Sequence, residues 1–139
     1  MTSRGSHDAD YVPVGAVGAG LCVLVGATHD DDLGTADRMA DKILGLRIFD
    51  DADGVMNLAA SDVGAELLVV SQFTLYGDTR KGRRPSWVAA ARPEHAEPLV
   101  DRLVDRLRAA GHRVETGRFR TEMQVSLVND GPVTLMLEV

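Results

Sequence analysis

The order of elements legible in the chain is strands, helix, strands, helix, strands. It predicts an α/β fold with a small mixed, largely antiparallel sheet rather than strict βαβ alternation. Three observations carry this. Met39, Ile43 and Leu46 recur at helical spacing, and so do Leu99, Leu103 and Leu107. Between and around these stripes stand short apolar runs bounded by Gly, Pro and Asp. Near the C-terminus, Met123, Val125 and Leu127, then Val133, Leu135 and Leu137, alternate at period two, which predicts two strands joined by a turn.

In chain order, Val12–Val17 reads as a short strand whose Pro13 suits an edge or a start. Gly18–Gly20 is a turn. The run 20–26, with Leu21, Cys22, Val23, Leu24 and Val25, is continuously apolar and predicts a strand buried on both faces. A helix is expected from Thr35, as N-cap, to about Leu46, with Gly45 a weak point near its end. Arg47–Phe49 begins a strand, Asp50–Gly54 turns, and Val55–Leu58 returns. Ser61–Gly64 reads as a loop before the central strand Leu67–Gln72. The second helix runs from Pro93 or Ala96 to Ala109. Pro93 fits its first turn, whereas Pro98 predicts a late start or a bend. Gly111 stops it. His112–Gly117 reads as strand and turn, and Met123–Val128 as a strand.

The chain has 139 residues, 45% of them hydrophobic, which predicts one globular domain over 1–139. No run of about 18 apolar residues suggests a membrane span. The N-terminal residues Ser3, Arg4, Ser6, His7, Asp8 and Asp10 lack a signal-type apolar core, so a cytoplasmic protein is expected. The lone Cys22 reads as a small buried hydrophobe and offers no internal disulfide. A net charge of −6 and a pI near 5.1 argue against a broadly basic, sequence-blind nucleic-acid surface. Yet Arg80, Lys81, Arg83 and Arg84 fall within five residues. They form either a solvated loop or a local phosphate-binding patch. The acidic stretches Thr28–Asp32 and Asp50–Gly54 lack spaced metal ligands and read as a helix start and a turn. No metal or cofactor is expected.

Two stretches carry chemistry. Ser71-Gln72-Phe73-Thr74-Leu75 follows the apolar strand directly, and strand ends in α/β folds are where sites are built. Ser71 and Thr74 are the candidate hydroxyls, but none of the four histidines stands in a recognisable motif with them. Asn129-Asp130-Gly131-Pro132-Val133-Thr134 reads first as a hairpin turn. Gly131 without a Cβ and Pro132 without an N–H also let this backbone approach a ligand closely.

The pair SQFTL and NDGPVT resembles the D-aminoacyl-tRNA deacylase family, over roughly Val12 to Val139. The resemblance implies a strongly curved, barrel-like sheet with helices outside, a homodimer, and hydrolysis of the ester of D-aminoacyl-tRNA. It implies a catalytic segment of Ser71, Gln72, Phe73 and Thr74, with Thr74 as nucleophile or only as an orienting hydroxyl. In the second case the substrate's neighbouring ribose hydroxyl assists, and N–H groups near Phe73 and Thr74 hold the oxyanion. Phe73 could stack on the terminal adenine. The resemblance also implies that Gly131 and Pro132, joined by a cis bond, enter the partner subunit's site with Asn129 nearby and reject L side chains by rigid backbone. Glycyl-tRNA, with no side chain to exclude, would be admitted. Met123 stands where the family has a pocket-lining Met, or is a core residue of its strand, and Arg80, Lys81, Arg83 and Arg84 would meet the acceptor end of tRNA.

The chain departs from the family at Arg120 and Thr121, where small residues are usual. It departs again at Met1–Tyr11, which lacks the family's apolar strand and its Gln-Arg-Val motif. The expectation is therefore an unpartnered strand at Val12–Val17, and either a longer working protein or a less stable, less active one. Two further readings stand beside deacylation: an inactive dimeric relative that binds aminoacyl-tRNA ends, and an unrelated small esterase using Thr74.

Overall fold

The computed structural model of the chain describes residues 1–4, 10–131 and 133–139; Pro132 and His7 lie outside the described residues. The expected α/β architecture is present. Its centre is a parallel sheet of β3 (Gly20–Val25), β6 (Glu66–Ser71) and β7 (Val114–Thr116), with β6 in the middle. The register pairs Val25 with Ser71 and Val69 with Thr116, so all three strands end at one edge.

The middle strand explains its own sequence. Leu67, Leu68, Val69 and Val70 are all buried, as a strand covered on both faces requires. On one face Leu67 and Val69 meet Ile43 of α1 (Leu33–Gly45) and Leu103 and Leu107 of α3 (Pro93–Ala109) in a single core cluster. Arg102 of α3 makes a two-pronged ion pair with Asp37 of α1, at 2.7 and 3.0 Å. That fork fixes how the helices lie against each other.

β3 corrects the reading of a strand buried on both faces. It is the outer strand of its sheet, so only Leu21, Val23 and Val25 pack on the core, while Cys22 is exposed and Leu24 is 48% exposed. Cys22 is therefore not the buried hydrophobe expected of it.

The cap of α1 is Asp32 rather than Thr35. The Asp32 carboxylate accepts the Thr35 N–H at 2.8 Å, and the Thr35 hydroxyl accepts the Asp32 N–H at 3.1 Å, closing a capping box. α3 starts at Pro93, not late: Pro98 lies inside it and removes one hydrogen bond near its beginning. The antiparallel pair β4 (Arg47–Asp50) and β5 (Met56–Ala59) follows α1. Residues read as a loop form the one-turn helix α2 (Ala60–Val63), stopped by Gly64 at φ +62°.

The expectation of an unpartnered strand after the N-terminus is overturned. Thr2–Arg4 forms β1, which pairs antiparallel with β2 (Val12–Pro13) on one side and β8 (Glu122–Gln124) on the other. The Met1 ammonium donates to the Gly15 carbonyl at 2.9 Å, and the Val14 N–H to the Met1 carbonyl at 3.1 Å. β2 is therefore not left without a partner. Apolar alternation was the wrong criterion here, because ladder hydrogen bonds belong to the backbone and Thr and Ser satisfy them as well as Val does.

The C-terminal hairpin is overturned too. β8 ends at Gln124, and among the described residues no strand forms from 125 to 139. The segment is held instead by Leu137, packed on the core cluster, and by the Lys42 ammonium, which donates to the Glu138 carbonyl at 2.9 Å. Period-two alternation marks chain able to be a strand; it does not supply the strand beside it.

Candidate active site

Ser71 is the last residue of β6, at the C-terminal edge of the parallel sheet, and there the chain leaves the core. The Gln72 N–H still donates to the Val25 carbonyl at 2.7 Å, and Phe73–Tyr76 then wind into one 3-10 turn. Gly26 permits this, since a Cβ there would stand 2.9 Å from the Gln72 carbonyl oxygen. The turn places Phe73, Thr74 and Leu75 in solvent directly above a buried strand.

The N–H groups of Phe73 and Thr74 open this turn and have no acceptor among the described residues. Among the described residues the Thr74 hydroxyl has one partner, the Gln72 side-chain amide. An amide does not take a proton in either of its orientations, so this contact orients the hydroxyl and does not activate it. Burial raises the Tyr76 phenol above its ordinary pKa, helped by the charges of Asp31 and Glu138, so Tyr76 stays protonated as well. The described histidines are engaged elsewhere. His29, His95 and His112 bond the carbonyls of Val88, Asp31 and Ala65 at 2.6, 2.8 and 2.8 Å.

Beside Ser71 opens a cleft of about 410 Å3 between α3 and the strand ends. Val69, Val100, Val104, Phe119 and Met123 line it together with Ser71, Thr116 and the acidic residues Glu97, Asp101 and Asp105 of α3. Thus Ser71 and Met123, far apart in sequence, share one cavity, while Phe73 and Thr74 stand on the turn beyond it. Arg120, in the link to Met123, has φ +61°. That is the left-handed region, where a side chain costs energy and glycine does not.

After the turn, Asp78 and Ser86 exchange two backbone hydrogen bonds of 2.8 Å, closing the neck of a loop that contains all four basic residues. Arg80 folds back on Asp78, with guanidinium–carboxylate distances of 2.6 to 3.1 Å. This pairing, with the Arg80 N–H, pulls the Asp78 carboxyl down to about 2. Lys81, Arg83 and Arg84 are exposed and make no ion pair among the described residues.

Asn129 and Gly131 lie on the exposed C-terminal segment, where the Asn129 amide donates to the Thr134 hydroxyl at 3.3 Å. No hydrogen bond among the described residues joins them to Ser71, Gln72, Phe73 or Thr74. Phe119, on the cleft, and Trp87, which packs edge-on to Phe73, add to the residues expected from the sequence. Trp87 had a signal: it is the chain's one tryptophan and follows the basic loop directly.

A hydroxyl-and-amide turn thus stands at the end of a parallel strand, beside a cleft of mixed apolar and charged lining and next to a basic loop. The sequence model of the D-Tyr-tRNA(Tyr) deacylase family matches residues 3–138, and the chain belongs to that family. It is 56% identical over 125 residues to a D-aminoacyl-tRNA deacylase of Symbiobacterium thermophilum, covering 90% of this chain and 83% of that one. It is 55% identical over 129 residues to a Bacillus subtilis protein named an inactive D-aminoacyl-tRNA deacylase, covering 93% and 98%. The solved structure of a c-Myc DNA unwinding element binding protein superposes with a TM-score of 0.82 at 34% identity, covering 99% of this chain and 91% of that one. A probable eukaryotic D-amino acid tRNA deacylase shares the fold, with a TM-score of 0.67 at 18% identity over 87% and 85% of the two chains.

Proposed function

We propose that this chain hydrolyses the ester between a D-amino acid and tRNA, releasing the free amino acid and tRNA. The observation that carries the reading is the 56% identity to a D-aminoacyl-tRNA deacylase along most of both chains. The site geometry supports it. Water adds to the ester carbonyl, the Phe73 and Thr74 N–H groups receive the oxyanion, and the ester C–O bond breaks with the proton passing to the ribose oxygen. Thr74 orients the ester through its bond from Gln72 and is not the nucleophile, since no base among the described residues reaches it. Ser71, Phe119 and Met123 shape the cleft for the substrate. The basic loop meets the acceptor end of the tRNA. The substrate is an intermediate of cytoplasmic protein synthesis, and there the protein acts.

Gly131 and Pro132, with Asn129, complete the site of a second subunit in a homodimer and exclude L side chains by backbone alone, so glycyl esters are admitted too. The exposure of their segment in the single chain supports this, with Val128 at 90% and Met136 at 83%. Family membership sets aside the unrelated esterase. The inactive relative remains a second reading, favoured by the Bacillus subtilis protein at 55% identity.

Deacylation of matched D- and L-tyrosyl-tRNA decides between them. The expected result is turnover of the D ester with the L ester nearly untouched, and a Thr74→Val enzyme that loses less than about tenfold, the scale of one neutral hydrogen bond. Equal rates on both esters would refute chiral selection. No turnover, with tRNA still bound, would establish the inactive relative.

A further inference from the structure

Two aromatic rings stand open to solvent at the mouth of the basic loop. Phe73 is 54% exposed and Trp87 is 42% exposed, their centroids are 5.4 Å apart, and their planes meet at 70°. The corner is built. The benzo edge of Trp87 rests on the backbone at Gly77, where an added Cβ would stand 3.2 Å from Trp87 Cε3 and closer still to Cζ3. The Asp78–Ser86 neck, the next pair outward, fixes where the indole leaves the chain. The three cations Lys81, Arg83 and Arg84 sit on the loop that this neck closes, in a protein of net charge −6.

Two large rings packed together at the surface make a contiguous apolar patch, of the kind that marks an interaction site. An occupant that is flat and apolar on its faces, and joined to negative charges, matches both parts of the surface. A nucleobase in a single strand has that chemistry, and aromatic platforms beside basic grooves hold such strands whatever their sequence. We propose that Trp87 is a base-stacking residue. With Phe73 it forms a two-sided corner for a base of the unpaired 3′ end of the RNA, while Lys81, Arg83 and Arg84 meet the phosphates. This rests on the deacylase reading for the identity of the RNA, and it adds a contact residue and the kind of group contacted.

Because Trp87 is the chain's one tryptophan, its emission reports on this corner alone. The unaltered protein is titrated with the RNA trinucleotide CCA, and with the same sugar–phosphate chain lacking its bases. Stacking predicts a saturable loss of emission with CCA and none with the abasic chain. In deacylation of D-tyrosyl-tRNA, Trp87→Ala should raise KM by about fivefold or more with kcat little changed, and Trp87→Phe should restore KM, because any aromatic face stacks. Emission unchanged by CCA, or lowered equally by the abasic chain, overturns the proposal even if deacylation is intact. Emission lost with CCA but no turnover of any D ester keeps the stacking corner and rejects the deacylase reading. The titration needs no variant, so a misfolded Trp87→Ala protein leaves the test whole.

Discussion

Residues 71–87 and 123–139 carry the two motifs that identify the family, and the single chain treats them differently. The first grows out of the most buried strand in the molecule. Each step away from β6 is tied down: Gln72 to Val25, Leu75 to Gln72, Gly77 to Thr74, Asp78 to Ser86. The second leaves β8 and, apart from the half-buried Val125, Val133 and Leu137, its described residues are exposed, with Val128 and Met136 almost bare. One half of the proposed site is thus fixed by the chain's own core. The other half presents apolar surface that the chain itself does not cover, as a cross-subunit contribution requires.

The largest effect expected from this contrast is in stability. Leu107, fully buried between α3 and the sheet, should lose about 2–5 kcal/mol on change to Ala. Val128→Ala should stay within about 0.5 kcal/mol in a monomer, as an exposed site does. Denaturant unfolding at low and high protein concentration checks both. A concentration-dependent loss for Val128→Ala would show that a second copy covers this segment; a large loss independent of concentration would break the contrast.

Next is the loop. Replacing Lys81, Arg83 and Arg84 together by Ala should raise KM for aminoacyl-tRNA more than it lowers kcat. It should flatten the salt dependence by about two units of slope, at roughly 0.7 for each single-strand phosphate that is no longer neutralised. An unchanged slope would return the loop to plain solvation.

Much of the first region was legible in the sequence and much of the second was not, for one reason. Side-chain periodicity reports which face is covered when the covering element belongs to the same chain. The Leu99, Leu103, Leu107 stripe and the Leu67–Val70 run were read correctly because each is covered on the side it predicted. β3 was misread because an unbroken apolar run does not say whether a strand is central or outermost. β1 was invisible because Thr2, Ser3 and Arg4 carry no pattern, and their pairing is decided by Val12 and Met123 across the ladder. The alternation at 123–137 was real, but nothing in it names the partner. The SQFTL motif located Ser71, Gln72, Phe73 and Thr74. The Phe119 side of the cleft and the Trp87 corner arise where distant residues meet, which spacing does not encode.

A smaller effect is expected at Arg120. Holding a non-glycine residue at φ +61° costs about 1–2 kcal/mol, while glycine costs about 0.5–1 kcal/mol more than other residues to order. Arg120→Gly should therefore stabilise the protein by up to about 1 kcal/mol, read as a rise in Tm. A fall in Tm would show that the Arg120 side chain makes a contact worth more than the strain.

The smallest effect separates Arg80, which is paired, from Lys81, Arg83 and Arg84, which make no ion pair among the described residues. Asp78 titrates at about 2 in the folded protein, below its ordinary 3.8, because Arg80 holds its charged form. A carboxyl depressed in this way adds stability that is fully present above about pH 4 and fades as the pH falls through 2. The pair is solvent-exposed, so its contribution to stability is slight and weakened further by salt. Its functional consequence is easier to read. At neutral pH Asp78 remains charged and engages Arg80, so a phosphate must compete with the carboxylate for it. Asp78→Asn should release it, lower KM at low salt, and steepen the salt dependence by somewhat less than one unit of slope. The same substitution made together with Arg80→Ala should show neither change. If Asp78→Asn weakens substrate binding instead, the carboxylate serves the loop by bracing the Arg80 backbone N–H, which it accepts at 2.9 Å, and the shape of the loop matters more than its count of free charges.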